Sequence, residues 1–135
     1  MYQLLYLSTA VNLMTNDELD SLLSEAKKNN HENNVTGMLV YHDGCFIQIL
    51  EGEKNEIKSL FNKISHDPRH KSIYLIDERD IDSRSFETWD MAFKILTKND
   101  LVNFPSLKQM INNTEKNKLA KLTDIEEAFI SISVN

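Results

Sequence analysis

The sequence is poor in the residues that carry most recognisable chemistry. Its 135 residues include one cysteine, two prolines and three glycines. A lone thiol, Cys45, excludes an intramolecular disulfide and suits a reducing compartment, so a cytoplasmic location is expected. The glycines stand apart at 37, 44 and 52, too few for a Walker-type or dinucleotide-binding loop, and no Ser-His-Asp pattern is present. Basic charge is also short: the net charge is −6, the opposite of a nucleic-acid footprint. No run approaches the roughly 18 apolar residues of a membrane span. The opening "MYQLLYLSTA" lacks a basic leader and does not read as a signal peptide. Among the four histidines, His66 and His70 flank Asp67, but Pro68 intervenes and no cysteine joins them, so no metal is expected.

What is present is an ordinary globular composition, 41% hydrophobic and 27% charged, in a chain of one-domain length. Tyr2 to Ser8 alternates as a strand. Thr15 and Glu18 form a capping box, and Leu19, Leu22, Leu23 and Ala26 follow at helical spacing to about Asn30. The Asn-rich "NNHENN" breaks that helix. Val35 to Tyr41 and Cys45 to Leu50 read as strands joined by the hairpin signal Asp43-Gly44. Ile57, Leu60, Phe61 and Ile64 mark a second amphipathic helix, ending at Asp67-Pro68. Strands are expected at Ser72 to Ile76 and Met91 to Ile95. The order β-α-β-β-α-β plus a fifth strand predicts an α+β, ferredoxin-like domain over residues 1–96.

Residues 97–135 form a C-terminal helical extension. Short helical turns are expected around Leu101, Phe104, Leu107 and Ile111. A further capping box at Thr123 to Glu126 precedes Ile125, Ala128, Phe129 and Ile132 on one face. Such pieces are unstable alone and must cover the sheet's open face or pair with another subunit.

The stretch "FIQILEG" places Gln48 on one strand face with Phe46 and Leu50. A buried primary amide must satisfy two donors and an acceptor, and leaving one unpaired costs about 1–3 kcal/mol. In a ferredoxin-like sheet the first and third strands are neighbours, so Tyr6 can reach Gln48. Asn29 and Asn30 end the first helix, while Asp67, Arg69 and His70 follow the second. These groups converge on the gap between the helices, a slot for a flat molecule with carbonyls and N–H groups on its rim. Singly, each has a plainer reading: a packed tyrosine, an amide bonded to backbone, an asparagine cap, a solvated turn. Only their joint position favours a site. Two rivals use the same fold. An acylphosphatase-like hydrolase would want an arginine in the first loop, and "STAVNLMTN" has none. A cofactor-free dimerisation module would use Tyr6 and Gln48 for packing.

Four motifs carry a family resemblance over residues 2 to about 95: "LLYLSTA", "KKNNHENNVTGMLVYHDGCFIQILEGE", "ISHDPRH" and "RSFETWDMAF". In them the chain resembles the BLUF domains, blue-light sensors that bind FAD, and the short stand-alone members in particular. The resemblance implies a photoreceptor and no enzyme. It implies that Tyr6 gives an electron to the excited flavin and that Gln48 bridges the phenol to the flavin's N5 and C4-carbonyl edge. Asn30 corresponds to the residue bonded to C4=O and N3–H, Asn29 to a variable flavin contact, and Arg69 to the residue near the C2 carbonyl, with Asp67 and His70 beside it. Trp89 and Met91 correspond to the pair that relays the signal. Light would leave the flavin's redox state unchanged while the amide rotates or tautomerises, giving a small red shift. The implied partners are FAD, a downstream protein effector and further copies of the chain, with neither nucleic acid nor membrane. The first loop departs from the pattern in lacking a cation for phosphate.

Overall fold

The structure, a computed structural model, describes residues 1–87, 91–112 and 122–134. Its elements run β1 (Tyr2–Ala10), α1 (Asn16–Glu32), β2 (Thr36–His42), β3 (Cys45–Gly52), α2 (Lys54–Ser65), β4 (His70–Asp80), β5 (Ala92–Ile95), α3 (Lys98–Asn103), α4 (Pro105–Asn112) and α5 (Leu122–Val134). The strands form one sheet in the order β4-β1-β3-β2-β5. The first four pair antiparallel, and β5 joins β2 in parallel. This is the ferredoxin-like arrangement with a fifth strand at one edge. No helix among the described residues is long and apolar enough to cross a membrane.

Local sequence explains the framework. Thr15 Oγ1 accepts from the Glu18 N–H, and the Glu18 carboxylate accepts from the Thr15 N–H, closing the capping box of α1. The β2–β3 hairpin turns on Asp43 and Gly44, with φ of 44° and 83°, as a two-residue loop with two left-handed positions requires. Gly37 serves a close approach: a Cβ there would lie 1.9 Å from the Ile49 carbonyl oxygen. Its absence lets β2 lie flush against the strand that carries Gln48.

Strand alternation divides the core into two layers. On one face Leu4, Tyr6, Leu39, Phe46 and Leu50 pack with Leu19 of α1 and Ile57 of α2. On the other, Leu5, Leu7, Val40, Ile47 and Ile49 pack with Leu107, Met110, Ile125, Phe129 and Ile132 of the C-terminal helices. The extension therefore covers the sheet's open face. Burying each such side chain contributes about 1.5–3 kcal/mol, so the extension is a full layer of the fold.

Most strand and helix ends shift by one or two residues from expectation, β5 for example starting at Ala92 and not at Met91, and three differences are informative. The first helix runs past Asn30 to Glu32, and the left-handed residue after it is Asn34, with φ of 56°. β4 extends to Asp80, pairing along all of β1, although its second half reads Asp-Glu-Arg-Asp. Charge is tolerated there because β4 is an edge strand. The helix expected to be capped at Thr123, and so to start at Asp124, begins two residues earlier at Leu122, whose N–H donates instead to Asp77 of β4 at 3.0 Å. A carboxylate distant in sequence does the capping.

Candidate functional site

Tyr6 and Gln48 are direct cross-strand partners at the centre of β1 and β3, so their side chains leave the same face. Both are buried. The Tyr6 hydroxyl donates to Gln48 Oε1. The Gln48 Nε2 donates in turn to the sulfur of Met91 at 3.2 Å. Burial, with a smaller contribution from the Asp67 charge, holds the Tyr6 phenol well above its ordinary pKa, so it stays protonated. Its ring lies tilted against Phe61 of α2, centroids 5.6 Å apart.

Above this pair opens a cavity of about 590 Å³ between α1 and α2, within the usual range for a small-molecule site. Tyr6, Leu39, Gln48 and Leu50 make its floor. One wall is the α1 face of Leu22, Ala26, Asn29 and Asn30; the other is Leu60 and Ile64 of α2. Asp67, Arg69 and His70 border it where α2 hands over to β4. The structure thus brings the seven residues Tyr6, Asn29, Asn30, Gln48, Asp67, Arg69 and His70 around one cavity. Met91 lies against Gln48. Trp89 falls outside the described residues.

The cavity edge is electrostatically organised. Arg69 Nε donates to both oxygens of Asp67 at 3.0 Å, and its Nη1 lies 3.6 Å from Glu25 of α1. Those bonds hold the Asp67 carboxyl below its ordinary range. His70 is pushed down chiefly by burial, with the Asp67 charge opposing and Arg69 adding. Its ring meets Phe46 edge-on at 5.9 Å, and its Nδ1 is buried with no hydrogen-bond partner.

Glu25 and Lys63 also line the cavity and were missed by the sequence reading. Glu25 lies one helical turn before Asn29, and the spacing of Leu22, Ala26 and Asn29 on one α1 face would have revealed it. Lys63 supplies from α2 a cation that the first loop lacks. The fit to a flavin is good: a slot with aliphatic side chains on both walls, a phenol and an amide at its floor, two asparagine amides on one wall, and a guanidinium at its edge.

Comparison with known proteins points the same way. A sequence model of the family described as BLUF, sensors of blue-light using FAD, matches residues 1–92. The alpha subunit of a photoactivated adenylate cyclase from Euglena gracilis is 31% identical over 127 residues, 94% of this chain but 12% of that protein. A bacterial light-regulated adenylyl cyclase superimposes with a TM-score of 0.75 at 33% identity, over 86% of this chain and 34% of the other. BlsA in its photo-activated state superimposes with a TM-score of 0.77 at 29% identity, over 99% of this chain and 95% of the other.

Proposed function

The chain belongs to the BLUF family, sensors of blue light using FAD, and from that premise we propose that it is a photoswitch worked by Tyr6, Gln48 and Met91. The observation that carries this reading is the hydrogen-bonded line from the Tyr6 hydroxyl through the Gln48 amide to the Met91 sulfur, beneath the cavity. When bound, FAD supplies blue-light absorption and an excited state that accepts one electron from a nearby phenol.

The chain's own groups do the rest. Asn29 and Asn30, in the last turns of α1, would offer amides to the bound group, and Arg69, where α2 hands over to β4, would offer N–H donors. Lys63 is the cation available to a phosphate. Leu22, Ala26, Leu60 and Ile64 would exclude water from a flat group held between the helices. Tyr6 is neutral in the dark and releases its hydroxyl proton only along its bond to Gln48 Oε1. Electron and proton then return to Tyr6, and no net oxidation remains. During the excursion the Gln48 amide turns or changes tautomer. A thioether is a weak acceptor, so giving it up would cost the amide little. Two bonding networks of similar energy make a bistable element.

Release of Met91 is then felt in β5, which follows it directly, and in the helical extension beyond. We assign residues 1–96 to sensing and residues 97–135 to output, toward an effector protein or a second copy of the chain. The cyclase relatives catalyse with chains of which this one spans a small part, and we assign it sensing and no catalysis. The deciding experiment is absorption spectroscopy of the purified protein. A flavin spectrum that moves reversibly to longer wavelength under blue light is expected. Protein without flavin, or with a flavin spectrum that light leaves unmoved, defeats the reading.

A further inference from the structure

A second polar network lies on the opposite face of the sheet, three residues along β3 from Gln48. Glu51 is wholly buried there. Its Oε1 accepts from the Phe86 N–H at 2.6 Å and from Thr36 Oγ1 at 3.0 Å. Its Oε2 accepts from the Ser85 N–H at 3.0 Å and from Gln3 Nε2 at 3.3 Å. Arg84 closes the near side, donating to Thr36 Oγ1 at 2.8 Å and to the Glu51 carbonyl at 3.1 Å. Gln3, also wholly buried, uses the same Nε2 to donate to Glu126 of α5 at 2.8 Å, while its Oε1 accepts from Arg79 Nε at 2.9 Å. Arg79 completes the loop by donating to Glu126 at 3.0 Å. One amide thus bridges two carboxylates, the first holding the backbone that leads to Met91 and the second belonging to α5.

We infer that Glu51 is a positioning residue coupling the segment before Met91 to the docking of α5. Both limbs share the Gln3 amide. When Glu126 withdraws, a donor of Gln3 is stranded in the interior, and its remaining bond to Glu51 must readjust. When residues 85 and 86 shift, Glu51 loses donors and pulls on Gln3. Each movement therefore changes the free energy of the other, and such coupling is reciprocal. Asp77, which caps α5 at Leu122, lies on the same strand as Arg79 and adds a second polar anchor to that helix. As a path for light the inference rests on the photoswitch reading. As a coupling it stands in the dark.

The test is amide hydrogen exchange of the FAD-loaded full chain, in darkness and under blue light, with Glu51→Gln and Glu126→Ala. Glu51→Gln keeps the shape but sets an NH2 against a donor. It is expected to bind flavin, to speed exchange at Ser85 and Phe86 roughly tenfold, and to abolish any light-induced change in α5. Glu126→Ala is expected to speed exchange in α5 and also, by roughly threefold or more, at Ser85 and Phe86, which it does not touch. Exchange at those two amides unchanged in Glu126→Ala overturns the coupling, and this arm decides the matter even if Glu51→Gln fails to fold. A light response of α5 retained in full by Glu51→Gln overturns the path while leaving the photoswitch intact. A wild-type spectrum unmoved by light overturns the photoswitch, and the dark comparison still decides the coupling.

Discussion

The amide nitrogen of Gln48 donates to the sulfur of Met91. This one contact ties the centre of β3 to the residue that immediately precedes β5, across the face on which the cavity sits. Met91→Leu removes the acceptor and keeps the volume. Losing a weak hydrogen bond of about 0.5–1 kcal/mol shifts a two-state balance by a factor of about 2–5. Dark Met91→Leu protein should therefore hold flavin, show a spectrum displaced toward the lit form, and return more slowly after illumination. Spectra and recovery kinetics indistinguishable from wild type would show that the sulfur does not bias the amide.

Tyr6→Phe and Gln48→Leu separate binding from switching. Neither removes the walls or the Asn29, Asn30 and Arg69 groups, so both variants should purify yellow. Neither should show the reversible light-induced shift, because each breaks the bond between the phenol and Gln48 Oε1. A normal shift in Gln48→Leu would remove the amide from the mechanism.

These residues were legible because strand alternation is rigid. The two-residue period puts Tyr6 and Gln48 on the faces where they are found, and the ferredoxin-like strand order makes them neighbours. The helices were legible for a similar reason, since capping boxes and a 3.6-residue period are local properties. What stayed hidden depends on contacts distant in sequence. The second half of β4 is charged and paired only through β1, so no apolar pattern announces it. α5 begins where Asp77 receives its first N–H, which no local motif records. Glu51 reads as a polar strand residue until residues 85 and 86 are folded over it.

Acid should destabilise the flavin-free protein in two steps. The His70 pKa in the fold lies below its unfolded value, so between the two values the unfolded chain binds more protons. Stability present near neutrality therefore declines as pH falls through the ordinary imidazole value of about 6.5 and levels off only below the folded value. Asp67, also depressed, contributes stability present above its unfolded pKa and lost as pH falls through the folded one, at more acid pH. Urea midpoints measured from about pH 7 to about pH 5 should fall in wild type and stay flatter in His70→Gln. Equal slopes would place the titration elsewhere.

Phe129→Ala asks whether the two faces of the sheet are separable. Phe129 is fully buried in α5, against the layer formed by Leu5, Leu7 and Ile47. Truncating a phenylalanine so placed costs about 3–5 kcal/mol, a large part of the stability of a domain this size. The floor of the cavity is made by alternate residues of the same strands, pointing the other way. If the faces act independently, the variant unfolds at lower urea yet binds flavin and shifts under light as wild type does. If strand position on one face depends on packing on the other, the lit state of the variant should decay at a different rate. The second outcome is expected, since β3 carries Gln48 toward the cavity and Glu51 toward the helices, with only two residues between them.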